Sequence, residues 1–253
     1  MAGEEPAGAA EPVLATAVDA GGDPPLRRVL SAAWAVLLKD LRSELRMRYA
    51  LNAVALFAVS TVVALSLGLG PLSAALNQDL DQIQAALLWI AILFAAFTGL
   101  ARAFVHEEET RTAAGLRLAA PALAVYLGKL LFNLLLLVVL TLLATLLFVV
   151  MLHVVIGNPG LFAALLLAGS AGLVAATTLI AAIIAQAHAR GALFAVLSFP
   201  LLVPLLVVAI KGTALAIDGS GWDKGSASLV TLLSYTVALI VASLMLFPLV
   251  WEA

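Results

Sequence analysis

Hydrophobic positions in this chain come in six long blocks, near residues 50–70, 84–104, 130–153, 161–185, 192–210 and 228–250. A membrane-spanning helix needs about 20 mostly apolar residues in a row, and each block supplies them. Backbone groups in lipid must find hydrogen bonds within their own segment, so the blocks predict helices. The alternation of a membrane barrel is absent. The pattern therefore predicts an all-α integral membrane protein with six transmembrane helices, over residues 27–253 as one domain.

Ahead of the first block the pattern changes. In RRVLSAAWAVLLKDLRSELRMRY, residues 27–49, the large apolar side chains Leu30, Trp34, Leu37, Leu41 and Leu45 share one helical stripe. Lys39, Arg42, Ser43 and Arg46 fall opposite them. This predicts an amphipathic helix at the lipid interface, with Trp34, Lys39, Arg42 and Arg46 at the bilayer surface. Residues 1–26 are rich in Ala, Gly, Pro and acids, show no helical period and lack the basic and apolar regions of a signal peptide. They read as a disordered acidic tail.

The polar connection between the second and third blocks, AFVHEEETRTAAGLRLAAP at 103–121, concentrates charge in a chain of which only 11% is charged. Glu107 and Arg111 form an i,i+4 pair with the acid first, the favoured order. Acids early and Arg117 late complement a helix dipole, and Pro121 ends the segment. Residues 107–119 are thus expected to form a short polar helix outside the bilayer, shaped to dock on another protein.

Charge also sets orientation. Arg27, Arg28, Lys39, Arg42, Arg46, Arg48, Arg102, Arg111, Arg117, Lys129 and Arg190 fall on one side of the expected topology, and only Lys211 and Lys224 on the other. The positive-inside rule puts the first set, both termini and the glutamate-rich connection in the cytoplasm. Composition excludes several classes. With 64% hydrophobic residues this is not a water-soluble fold. There are no cysteines, which removes disulfides, thiolate metal sites and thioether haem attachment. No phosphate-binding G-x-x-x-x-G-K-[ST] loop occurs, so ATP energy must enter from a separate protein. No Asp, Glu, Lys or Arg lies within the hydrocarbon core of any block as drawn, which argues against ion coupling and against a membrane enzyme with its own catalytic or metal set. Nucleic acid is not an expected partner.

Two features within the blocks bear on packing. Ala164, Ala168, Gly172 and Ala176 repeat at four-residue steps and form a smooth ridge for close helix packing, either within the chain or in a homodimer. Pro200 and Pro204 predict a kinked fifth helix.

The run KDLRSELRMRYALN at 39–52, the pattern Phe104, Glu107, Glu109, Leu116, Leu118, Pro121, Gly128 and Lys129, and the six-helix plan resemble the CcmB family, the membrane permease of the cytochrome c maturation haem exporter and one of the ABC-transporter permeases. The resemblance covers about residues 30–250. The sequence departs from the usual loop, which more often has Gly just after the second acid, whereas here Thr110 to Ala114 intervene. The resemblance implies that the connection is a coupling helix on an ABC ATPase, with Glu107, Glu109 and Arg111 making polar contacts and Leu116 and Leu118 anchoring it. It also implies the plasma (inner) membrane, a haem-handling membrane protein, a small membrane subunit and a haem chaperone as partners, and haem as a candidate substrate. The residues offer haem little: His106 and His188 fall on the cytoplasmic side, and His153 is the lone outer histidine. Two mechanisms follow, a conduit for an amphipathic molecule and a transmitter of ATP energy to a partner outside. The absence of haem ligands and of internal polar groups favours the transmitter. A permease exporting a lipid or drug is the alternative.

Overall fold

A computed structural model describes residues 25–46, 48–69, 80–100, 113–184 and 190–252. The described residues form the helices α1 (Pro25–Arg46), α2 (Arg48–Leu69), α3 (Leu80–Leu100), α4 (Ala113–Ala119), α5 (Ala122–Leu152), α6 (Pro159–Ile184), α7 (Arg190–Ile217) and α8 (Trp222–Glu252). Five of them, α3 and α5 to α8, are long and apolar enough to cross a membrane, while α2 carries a shorter apolar stretch, Ala55–Gly68. Residues 1–24 of the acidic tail and residues 101–112, with Glu107, Glu109 and Arg111, lie outside the described residues, as do His106 and His188, while Pro25 and Leu26 open α1.

The helices run antiparallel, so the bundle has two ends. One, the hairpin end, holds the α5–α6 and α7–α8 turns and the start of α3. The other, the charged end, holds α1, α4, the start of α5 and the end of α8. Helix α6 is the most enclosed. It packs chiefly against α7 and α8. Its small residues make this possible: a Cβ on Gly169 would lie inside the Trp89 ring, and one on Gly172 would overlap Leu205 and come within 3.0 Å of Thr236 Oγ1. Ala168 and Ala176 are buried and Ala164 partly so, which puts the expected ridge inside this chain's own bundle.

Several boundaries differ from the sequence expectation. Helix α5 starts directly after Pro121, two turns before the block at 130–153. Pro121 is extended (φ −63°, ψ 147°), and its carbonyl accepts from the N–H groups of Ala124 and Val125. Ala124, Val125 and Tyr126 are buried, so protein contacts rather than lipid extend the helix. At 31 residues, α5 is about 46 Å long, against about 30 Å of hydrocarbon, and its surplus stands outside. Likewise α7 continues to Ile217 and α8 begins at Trp222, so the loop expected over 211–227 shrinks to 218–221. Polarity misled that estimate, because Lys211 and Lys224 sit on exposed helix faces.

The interior is more polar than the blocks suggested, which corrects the expectation of a bundle without internal polar groups. Gln84, Asn133, Thr141, Ser170, Thr177, Thr178, Ser198, Thr213, Thr236 and Ser243 are all buried. Most are uncharged side chains with local or cross-helix partners. The indole N–H of Trp89 donates to Thr213 Oγ1 at 2.9 Å, and Asn133 Nδ2 donates to Thr178 Oγ1 at 2.9 Å. Thr141 and Ser170 hydroxyls lie 3.3 Å apart. Pro200 and Pro204 are carried inside α7, and the Tyr235 hydroxyl donates to the Leu201 carbonyl at 2.6 Å. The carbonyl that loses its donor to Pro204 is that of Pro200, one residue earlier, so the Tyr235 bond ties α8 to the turn that the proline disturbs.

Candidate coupling site

Helix α4 is one short element, AAGLRLA, joined to α5 by Ala120 and Pro121. Its two leucines do different things. Leu116 packs against a cluster formed by Val125 and Tyr126 of α5, Ile180, Ala181, Ala182 and Ile184 of α6, and Phe247 of α8. Tyr126 and Phe247 set the centre of that cluster, with ring centroids 5.2 Å apart. Leu118 is 92% exposed. One side chain therefore meets the apolar cluster in which α5, α6 and α8 come together, and the other is exposed. The two leucines expected to anchor the helix against the ATPase or the membrane thus lie in different surroundings. The charged half of the segment expected at 107–119 falls outside the described residues up to Thr112.

Helix α1 leans on α5 more than on α2. Its buried face is Ala33, Val36 and Leu37 with Asp40, at helical spacing. Of the expected lipid stripe only Leu37 is buried; Leu30, Trp34 and Leu45 are exposed. Lys39 and Arg42 are exposed on the third side, and nothing is described of the Arg46 side chain. The helix thus presents three faces, one packed on the bundle, one of exposed apolar side chains and one of exposed charge.

The docking contact is close. A Cβ on Gly128 would come within 2.7 Å of both the Ala33 carbonyl oxygen and Val36 Cβ. Beside it, Lys129 Nζ lies 3.2 Å from Asp40 Oδ2, with the lysine side chain only 2% exposed. Asp40 Oδ1 lies 3.0 Å from Nζ of the half-exposed Lys39. Burying an ion costs roughly several kcal/mol, which a buried partner in good geometry offsets. Sequence reasoning drew the third block one residue too late to see Lys129 as buried. The signal was present: Asp40 follows Ala33, Val36 and Leu37 at three- and four-residue steps, an acid on an apolar face.

At the hairpin end the joints are made by backbone. Gly157 N–H donates to Ile217 O at 3.1 Å and Asn158 N–H to Ala216 O at 2.9 Å. Asn158 also caps α6, its Oδ1 accepting from Leu161 N–H at 3.1 Å, while its Nδ2 donates to Ser220 O at 3.1 Å. Gly219 takes φ +85°, and Ser220 N–H reaches back to Leu215 O, closing α7 in a Schellman-like turn. His153 is exposed in the left-handed region (φ 53°, ψ 37°) as the C-cap of α5, its N–H on Val149 O. A helix end explains its place. Among the described residues no group of three His, Cys, Asp or Glu gathers to hold a metal.

A long-helix membrane bundle, a short outer helix carried on it and a docked amphipathic helix now stand together. Residues 31–253 match the CcmB protein family. This chain belongs to the CcmB family. No curated protein matches the sequence significantly. As a CcmB protein, the chain is a multi-pass membrane subunit of the ABC-transporter type, concerned with haem export. The match begins within α1, so α1 belongs to the CcmB domain and residues 1–30 lie outside it.

Proposed function

We propose that this CcmB chain is a transmitter. It takes up the motion of a separate ABC ATPase on the cytoplasmic face, through the α4 segment, and delivers it across the membrane to the haem-handling partners outside. The observation that carries this is the division of labour on α4. Leu118 is exposed for a partner, while Leu116 is built into the cluster that joins α5, α6 and α8. A push on α4 therefore bears on the cluster in which three helices meet. The inner packing supports the same reading. Trp89 over Gly169 and Leu205 over Gly172 leave α3, α6 and α7 little freedom to slide past one another. The charge distribution supports cytoplasmic termini, and so an inner-membrane protein with α4 facing the cytoplasm. In this role the chain itself carries no catalytic group; ATP is hydrolysed in the partner. Glu107, Glu109 and Arg111 supply the polar contacts to the ATPase, and the small membrane subunit and the haem chaperone complete the assembly.

Deletion of the chain, followed by staining of membrane proteins for covalent haem, tests the reading. Loss of c-type cytochromes with haem still loaded on the chaperone is the expected result. Loss of both species assigns haem delivery itself to this bundle, as a conduit. Normal cytochromes sink the haem role and leave export of a lipid or drug.

A further inference from the structure

Asp40 and Lys129 join α1 to α5, the helix that follows α4. We infer that this ion pair is a positioning device: it fixes the register of α1 on α5, so that α1, α4 and the first turns of α5 move as a single input unit. The inference rests on the coupling role of α4 proposed above.

Three observations lead there. The first is chemical. Apolar contacts such as Ala33 and Val36 on α5 are non-directional and tolerate sliding. A buried pair does not, because separating it takes the nearly inaccessible Lys129 ammonium away from the Asp40 carboxylate. Registry is the best-attested use of such a pair. The second is steric. Gly128 lets the Ala33 carbonyl and Val36 approach the α5 backbone closely at that residue, so α1 has a defined seat. The third is connectivity. Only Ala120 and Pro121 lie between α4 and α5, and the Pro121 carbonyl is held by Ala124 and Val125. Displacement of α4 therefore reaches Lys129 through about two turns of continuous helix. The second cation on Asp40, Lys39, sits on α1 itself and cannot register one helix on the other.

The test is charge exchange in the full complex: Asp40→Lys, Lys129→Asp, and both together. Each single variant is expected to insert and to co-purify the ATPase at the wild-type level, while covalent haem on c-type cytochromes falls about tenfold; the double variant returns most of it. In parallel, nitroxides on Ser43→Cys and Leu131→Cys, introduced into a chain that has no cysteine of its own, report the α1–α5 distance in bilayers without the ATPase. A narrow distribution should broaden in each single variant and narrow again in the double. That readout stands even if α4 turns out not to contact an ATPase, so the two readings fail separately. Unchanged haem and an unchanged distance in Lys129→Asp overturn the inference. So do loss of the ATPase together with haem in the single variants, absence of rescue in the double, and failure of all three variants to insert, which makes the pair a folding requirement only.

Discussion

The two ends of the bundle are fastened by different chemistry. At the hairpin end, turns meet chiefly backbone to backbone: Gly157 lies against Gly219, and two backbone hydrogen bonds, with a third from the Asn158 side chain, cross from the α5–α6 turn to the end of α7 and the residues after it. At the charged end, side chains make the joints: Asp40 to Lys129, Leu116 into an apolar cluster, and Leu118 left outside. Backbone joints allow one geometry. Side-chain joints can be remade, and they leave surface for a partner. The difference suits a protein that receives force at one end and must present a fixed platform at the other.

Changes at the hairpin end should cost the most stability. In Gly157→Val the new side chain collides with the Gly219 backbone and forces apart the bonds from Gly157 and Asn158 to α7. Overpacking of this kind costs about 1–3 kcal/mol before the lost bonds are counted. Thermal unfolding in detergent should shift down by several degrees, roughly, and accumulation in the membrane should fall. If Gly157→Val unfolds with the wild type, the hairpin end is not the rigid one.

The exposed surface of the charged end should show the reverse profile, a large functional effect without a stability effect. Leu118→Glu alters a side chain that is almost wholly exposed, so its stability change should stay within about 0.5 kcal/mol. Co-purification of the ATPase should be lost, and Glu107→Lys with Glu109→Lys should uncouple it. Wild-type association in all of these would remove α4 as the docking element.

Gly128→Ala sharpens the comparison within the charged end. The added methyl must displace the Ala33 carbonyl and Val36, for about 1–3 kcal/mol, and should swing α1 without disturbing the far turns. Limited proteolysis at the exposed Arg42 checks this, with faster cleavage expected. The smallest effect belongs to the middle of the bundle. Tyr235→Phe removes the bond to Leu201 O, where intramembrane hydrogen bonds average about 0.6 kcal/mol. A shift in unfolding of a few degrees or more would mean that the Pro204 turn depends on Tyr235 far more than a single bond explains.

Much of this architecture was legible in residue order. The long apolar blocks mark helices α2, α3 and α5 to α8 because lipid leaves the backbone no alternative. Pro121 marked the break between α4 and α5, and Asn158 before Pro159 is a helix start that can be read directly. The family was visible from the run at 39–52 and the pattern from Phe104 to Lys129, and the match over residues 31–253 establishes it. Helix ends were less legible. Hydropathy reports where lipid stops, whereas the first turns of α5 are stabilised by protein contacts and continue past that point.

Sequence by itself determined the membrane class, the helical content, the charge asymmetry and the family, because each depends on composition, local period and residue order alone. Only the tertiary structure decided which surface each residue serves. Leu116 and Leu118 are the same side chain two positions apart, and one is an anchor while the other is exposed. Lys129 sits in a basic set that should face water, yet packing α1 across Gly128 buries it and gives it Asp40, 89 positions earlier in the chain. Such assignments follow from which helices meet and at what distance. That is set by many weak contacts summed over the whole bundle, and no local stretch of sequence contains it.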